Sequence, residues 1–177
     1  MEAQQKAREE EAASQTAVAP EAAAAAEREI TKLIHRYARL VDEQCFLEWM
    51  DLFAEDGVYA AITHENFSTT GLHLFKDRGK RALHERVAFL MGLWQSPRGK
   101  TRHLITNLEI EVGASGETAA ALSNFLITRT AEFEHASLYA CGQYRDEFER
   151  RGGDWVFKQR LVIVDSNLLP SEFTEIL

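Results

Sequence analysis

Two periods of apolar residues divide the sequence into a helical first part and a second part made of strands. In the first part, apolar residues recur every three or four positions, as on one face of a helix, at Ile30, Leu33, Ile34, Tyr37 and Val41. Two further stripes follow at Phe46, Trp49, Met50 and Phe53, and at Leu83, Val87, Leu90 and Trp94. We predict three helices, the first beginning near residue 27, the second capped by Asp42, and the third running from about residue 80 to the turn at 96–99.

From residue 101 onwards the apolar period changes to two, which is typical of strands. Four long strands are predicted, at 101–112, 118–133, 138–148 and 155–165, and a shorter one at 58–62, before a polar loop at 63–80. Consecutive strands with short connections pair antiparallel. The pattern therefore predicts an α+β fold in which helices cover one face of a curled, mainly antiparallel sheet.

The last predicted strand has an unusual distribution of apolar residues. Trp155 and Phe157 are expected on one face, with Lys158 and Arg160 on the other, whereas residues 161–164 are apolar on both faces. One apolar face can pack against the helices of the same chain. The other needs a second cover, either another subunit or the segment 168–177.

Composition separates a tail from a single folded domain. Residues 1–26 are rich in Glu, Gln and Ala and contain almost nothing large and apolar, which predicts a disordered or partly helical tail. Residues 27–177 have the length of one domain.

Charge and hydropathy exclude several classes of protein. The net charge of −8 argues against a nucleic-acid partner, because phosphate binding needs a basic surface. No secretory signal is visible, and no apolar run is long enough to cross a membrane. We predict a cytoplasmic protein in which Cys45 and Cys141 do not form a disulfide.

The sequence lacks the usual ligands of metals and cofactors. The two cysteines are far apart and have no nearby histidine, so a Rieske centre has no ligand set here. No two of the six histidines share a helix turn, and no glycine-rich phosphate loop or serine-hydrolase motif occurs. We therefore predict no metal or cofactor site in this chain.

One group of polar residues could catalyse a reaction if the sheet forms a cone. It consists of Tyr37 and Asp42 from the first helix and its end, with His103, Asn107 and Arg129 from the strands. His103 and Asn107 are four residues apart and are expected on the same face of a strand. Two interpretations remain open. These residues are hydrogen-bonded structural groups, with Asp42 a helix cap, or they move a proton next to a carbonyl group.

Several motifs resemble those of known proteins. The segments YARLVD at 37–42 and WMDLFAEDGVY at 49–59 resemble the opening of the NTF2-like superfamily. The segment TRHLITN at 101–107 resembles a strand of the small, or β, subunits of Rieske-type aromatic-ring-hydroxylating dioxygenases. The order of GQYRD at 142–146, Trp155 with Lys158 and Arg160, and VIVDSNL at 162–168 is also similar to that family. The strand at 101–107 resembles SnoaL-like dehydratases as well, so the last strand and the C-terminal extension carry most of the resemblance to the dioxygenase subunits.

This resemblance implies a partner for the chain, with no reaction of its own. In that family the α subunit holds a Rieske [2Fe–2S] cluster and a mononuclear Fe(II), and a reductase supplies electrons from NAD(P)H. The β subunits form a trimer within an α3β3 assembly that oxidises aromatic compounds, and their role is mainly structural. The residues expected at subunit interfaces are Arg102, His103, Val162, Val164, Leu168 and Leu169.

A stand-alone isomerase, dehydratase or cyclase of the same superfamily is the alternative. In that case Asp42 or His103 is the general base, and Tyr37 or Asn107 stabilises an oxyanion. This alternative requires an open pocket that contains these groups. A cone filled by Phe125, Phe133 or Trp155 argues against it.

Overall fold

The computed structural model describes residues 18–93, 99–168 and 176–177, which form four helices and six strands. The helices are α1 (Pro20–Asp42), α2 (Phe46–Asp51), α3 (His64–Ser68) and α4 (Gly79–Leu93). The strands are β1 (Phe53–Thr63), β2 (Phe75–Arg78), β3 (Lys100–Val112), β4 (Thr118–Thr130), β5 (Ser137–Arg151) and β6 (Asp154–Val164).

The helices follow the predicted stripes, with three differences. Phe53, predicted in the second helix, is the first residue of β1, because α2 ends at Asp51. Helix α1 begins at Pro20, inside the segment predicted as tail, because the alanine run extends the helix and proline fits its first turn. Residues 63–80 were predicted to be a loop, but they contain the short helix α3 and the short strand β2. Trp94 and the predicted stop at 96–98 lie outside the described residues.

The six strands form one sheet in the order β2-β1-β6-β5-β4-β3. Strands β1 and β6 are parallel, and the other neighbouring pairs are antiparallel. In β4 every second side chain is buried, as the period of two predicts, at Ala119, Ala121, Ser123, Phe125 and Ile127. Helix α1 packs across this buried face, mainly against β3.

A bulge in β6 reverses one predicted side-chain direction. Glu147 pairs with Gln159, and Phe148 pairs with Phe157, so Lys158 is an extra residue. Arg160 therefore points to the same buried face as Phe157, and the prediction that it points the opposite way is wrong. The alternation resumes after the bulge, with Val162 and Val164 on the buried face.

The chain itself covers both faces of the last strand. Val162 and Val164 belong to a buried cluster that also contains Ile176 and Leu177. Ile163, on the opposite face, is only 3% exposed, and helix α3 packs against β6. Of the two covers that were left open, the structure favours the chain itself: Ile176 and Leu177, from the segment 168–177, lie on one face of this run, and helix α3 lies on the other.

Two further predictions concern the membrane and the cysteines. No helix among the described residues is long and apolar enough to span a membrane. Cys45 and Cys141 are both free thiols and are half-buried.

Candidate functional site

Asp42 and His103 meet where the end of α1 crosses β3. The imidazole Nδ1 of His103 donates to Asp42 Oδ1 at 2.7 Å, and the His103 main-chain N–H donates to Asp42 Oδ2 at 3.1 Å. The hydroxyl of Thr101 donates to Asp42 Oδ1 at 3.1 Å. Asp42 was also predicted to cap the second helix, and this is wrong: Cys45 occupies that position, without a side-chain cap.

The environment keeps the Asp42 carboxylate ionised. Burial alone raises its pKa, but the hydrogen bonds from His103 and Thr101 outweigh burial and hold the pKa of Asp42 below its usual value. The His103 side chain is fully buried, and its Nε2 has no hydrogen-bond partner among the described residues. A shallow cavity of about 250 Å³ lies beside the pair, between α1 and β3.

Replacing Asp42 by asparagine should destabilise the chain by about 1.5–3 kcal/mol at pH 7, because charge-assisted hydrogen bonds are lost. The lowered pKa fixes the sign of the pH dependence. The difference in free energy of unfolding between the wild type and Asp42→Asn has its full size above the unfolded-state pKa of about 4. It disappears as the pH falls through the folded-state pKa of Asp42. Urea unfolding at several pH values measures it. The exposed Asp51→Asn is the matched control, with an expected change below about 0.5 kcal/mol.

Asn107 and Arg129, the other two predicted site residues from the strands, lie in different places relative to Asp42 and His103. A bulge between Thr106 and Glu109 interrupts β3, and Asn107 adopts a positive φ of 51° and is exposed. The prediction that Asn107 shares the face of His103 is wrong, because the bulge changes the alternation. Arg129 lies opposite Thr101 in the register of β3 and β4, so it is on the same face as Thr101 and is half-buried.

Tyr37 lies deeper than the pair and has other partners. Its buried hydroxyl donates to the main-chain oxygen of Leu177. Phe125 and Trp155 are buried in the core, as the filled cone requires. Phe133, however, is 99% exposed and does not fill the cone, and the prediction that the strand extends to residue 133 is wrong, because β4 ends at Thr130.

The buried face also contains an ion pair that the sequence did not predict. Arg160 donates from Nε to Asp146 Oδ1 at 2.8 Å and from Nη2 to Oδ2 at 2.6 Å, and both side chains are fully buried. The Arg160 guanidinium lies 3.9 Å from the ring centroid of Tyr37 and 4.2 Å from that of Tyr144. Burial works against the Arg160 charge, but Asp146 outweighs it and raises the pKa of Arg160. The β6 bulge, which is invisible in the sequence, places Arg160 here.

The opposite face of the sheet carries exposed leucines. Leu104 on β3 pairs with Leu126 on β4, and they are 50% and 40% exposed. Leu138, near the start of β5, is 61% exposed. We call Leu104, Leu126 and Leu138 the leucine row. Singly exposed leucines are ordinary, but a row on one face marks a candidate contact surface.

The predicted interface residues fall into three groups. Arg102 and Leu168 are exposed, and Arg102 lies on β3 beside the leucine row. The side chains of His103, Val162 and Val164 are buried within the chain, so they cannot contact a partner in this conformation. Leu169 lies outside the described residues.

Comparison with known proteins agrees with the fold and with the motifs. The model of the SnoaL-like domain family matches residues 22–161. The chain is 28% identical to the 3-phenylpropionate/cinnamic acid dioxygenase subunit beta of Photorhabdus laumondii, covering 80% of this chain and 85% of that protein. It is 27% identical to the anthranilate 1,2-dioxygenase small subunit of Burkholderia cepacia, covering 78% and 86%.

A solved structure gives the same result in three dimensions. It is described as the beta subunit of an aromatic-ring-hydroxylating dioxygenase from Novosphingobium aromaticivorans, with a TM-score of 0.75 and 26% identity. The match covers 87% of this chain and 99% of that chain. These findings confirm the predicted α+β cone and the predicted resemblance. The chain belongs to the SnoaL-like domain family, and its similar proteins include β subunits of dioxygenases.

Proposed function

We propose that this chain is the β subunit of an aromatic-ring-hydroxylating dioxygenase. One observation carries the proposal: the chain matches dioxygenase β or small subunits over 85%, 86% and 99% of their own lengths. The match therefore extends over the whole subunit, well beyond a shared motif.

The core geometry supports a structural role. The Tyr37 hydroxyl donates a hydrogen bond to the main-chain oxygen of Leu177, and Phe125 and Trp155 are buried in the core. Asp42 accepts three hydrogen bonds from Thr101 and His103, which anchor the end of α1 to β3. A stand-alone isomerase, dehydratase or cyclase needs an open pocket around Asp42 and His103, whereas the cavity beside them is shallow and excludes Tyr37.

In the proposed assembly, the metals are bound by a different subunit and not by this chain. Among the described residues, no three His, Cys, Asp or Glu side chains are placed to hold a metal ion. We propose that an α subunit holds the Rieske [2Fe–2S] cluster and the mononuclear Fe(II), and that a reductase delivers electrons from NAD(P)H. The β chains would form a trimer within a cytoplasmic α3β3 assembly.

Replacing His103 by alanine distinguishes the structural role from the catalytic alternative. In a β subunit, the change removes a buried imidazole and one of the three hydrogen bonds to the Asp42 carboxylate, so stability should fall by about 1–3 kcal/mol. Oxygenase activity should then fall only in proportion to the complex that is lost. Turnover by the isolated chain that disappears in His103→Ala, with fold and oligomer intact, would support the alternative. Calorimetry, size-exclusion chromatography and activity per assembled complex give the three readouts.

The leucine row is the proposed subunit contact. The double variant Leu104→Glu/Leu126→Glu should dissociate the assembly at micromolar concentration while the isolated chain keeps its melting temperature, because both side chains are already exposed. Sedimentation velocity checks the expected loss of mass. The matched control is Leu47→Glu on α2, where leucine is 54% exposed on the helical side of the sheet. An intact assembly for the double variant would exclude this face as a contact.

A further inference from the structure

A groove of about 660 Å³ crosses strands β3, β4, β5 and β6 on the same face of the sheet as the leucine row. Asn124, which lies between Leu122 and Leu126 on this face of β4, separates the groove from the leucine row. The groove has an apolar floor bordered by three exposed carboxylates, and we call it the acidic groove. Its floor is formed by Ala120, Leu122 and Leu161, and its carboxylates belong to Glu109, Glu111 and Glu147.

Glu111 and Glu147 face each other across Ala120. In the strand register Glu111 is opposite Ala120, and Ala120 is opposite Glu147. Ala119 and Ala121 are buried on the other face, so the side chain of Ala120 points into the groove. Neighbouring strands are about 4.8 Å apart, which places the two glutamates about 10 Å apart with only a methyl group between them. The space over Ala120 can therefore admit a side chain between two carboxylates.

The neighbouring row of the sheet adds an apolar position to the groove. Leu122 lies two residues beyond Ala120 on β4, and Leu161 of β6 lies in the same row; both are half-buried. Between them, Arg145 extends to α3, where its guanidinium lies 4.8 Å from the ring centroid of Phe67. The apolar position is about 6.7 Å from the space over Ala120, which is the separation of residues i and i+2 in an extended chain.

The charge of the acidic groove is not balanced within the chain. Its three carboxylates have no ion-pair partner among the described residues, whereas Glu149, further along β5, pairs with Arg151 and Lys158. Of the described residues that line the groove, Arg145 is the only cation. A second copy docked symmetrically on this groove would bring like charges together, which is unfavourable. The groove is therefore complementary to a different partner, one that carries a positive charge.

We propose that the acidic groove docks an extended segment of a partner protein in which an arginine lies two residues from an apolar side chain. The guanidinium lies over Ala120 and donates to Glu111 and Glu147. The apolar side chain lies on Leu122 and Leu161. Arginine is favoured over lysine because a planar guanidinium has donors on several sides and can bridge two carboxylates, whereas an ammonium is compact and strongly hydrated. The proposal does not rest on the dioxygenase assignment, because it uses only the surface of this chain.

Binding of short peptides to the full chain tests the proposal. The probe is acetyl-Ser-Arg-Ser-Leu-Ser-amide, and two control peptides replace its arginine by lysine or by glutamate. Nuclear magnetic resonance shifts of the groove amides should show that the arginine peptide binds, that the lysine peptide binds several-fold more weakly, and that the glutamate peptide does not bind. Glu111→Gln/Glu147→Gln should weaken binding of the arginine peptide by about tenfold or more. Glu132→Gln/Glu134→Gln is the matched control, because it removes the same charge at exposed positions outside the groove and should leave binding unchanged.

Ala120→Leu tests the shape of the groove separately from its charge. The position is exposed, so the chain should keep its melting temperature, but the larger side chain fills the space between the carboxylates and should reduce peptide binding by about tenfold. Absence of binding by the arginine peptide, an equal loss in the two glutamine pairs, or unchanged binding to Ala120→Leu overturns the proposal. A wild-type assembly that loses mass in Glu111→Gln/Glu147→Gln also overturns it, because the groove then holds a second copy of the chain.

Discussion

Replacing Gly142 by alanine should unfold the chain or destabilise it by several kcal/mol. A Cβ on Gly142 would lie 2.0 Å from the carbonyl oxygen of Ile163, which belongs to the neighbouring strand β6. The clash is with backbone, so no side-chain rotation relieves it, and β5 and β6 would have to separate at the centre of the sheet. Because a domain of this size has only about 5–15 kcal/mol of net stability, such a loss is severe.

Gly92 is the matched control for this substitution. It lies in α4 and is exposed, and a Cβ added there meets no atom within 4 Å. Gly92→Ala should therefore leave stability unchanged or raise it by up to about 1 kcal/mol, since alanine favours helix. Urea titration of both variants measures the difference. Equal stability of the two variants would show that β5 and β6 are not packed as described.

The second large effect is expected from Arg160→Met. Methionine keeps much of the volume but leaves the Asp146 carboxylate buried without its partner, which costs about 3–5 kcal/mol. An unpaired buried carboxylate has a raised pKa, so the folded variant binds a proton more tightly than the unfolded chain does. The loss of stability of Arg160→Met relative to the wild type should therefore be largest at neutral pH and should shrink as the pH falls towards about 4.

Two further variants distinguish the effect of leaving Asp146 unpaired from the effect of losing one positive charge. Arg160→Met/Asp146→Leu removes both charges and should recover most of the lost stability, because no orphaned carboxylate remains. Lys158→Met, at the neighbouring half-exposed position paired with Asp56, should change stability by less than about 1 kcal/mol. If Arg160→Met were as stable as Lys158→Met, the buried pair would not support the core.

Features that depend on local periodicity were predictable from the sequence. The apolar stripe at Ile30, Ile34 and Tyr37 defines the buried face of α1, and the alternation in β4 defines its buried face. Both patterns arise within one element, where the direction of a side chain follows from its position alone. The α+β class follows from the order of these patterns, and the motifs pointed to the correct family.

Features that depend on pairing between elements were harder to predict. Whether Lys158 is an extra residue depends on how β6 pairs with β5, and this decides that Arg160 faces the core. The bulge at Asn107 likewise removes that side chain from the face of His103. Leu177 has no periodic context at all, so its place between Tyr37 and Tyr59 could not be inferred. The contact of Asp42 with His103 is visible only once α1 crosses β3.

Purification of the native complex tests the central proposal most directly. The chain, isolated from cells that also express the neighbouring genes, should elute in equimolar complex with a larger chain that carries Cys-x-His and Cys-x-x-His ligand motifs. The complex should contain about three iron atoms per pair of chains, two of them in a [2Fe–2S] cluster with a Rieske-type electron paramagnetic resonance signal. A monodisperse chain that binds no iron-containing partner and turns over a substrate alone would contradict the assignment as a dioxygenase β subunit.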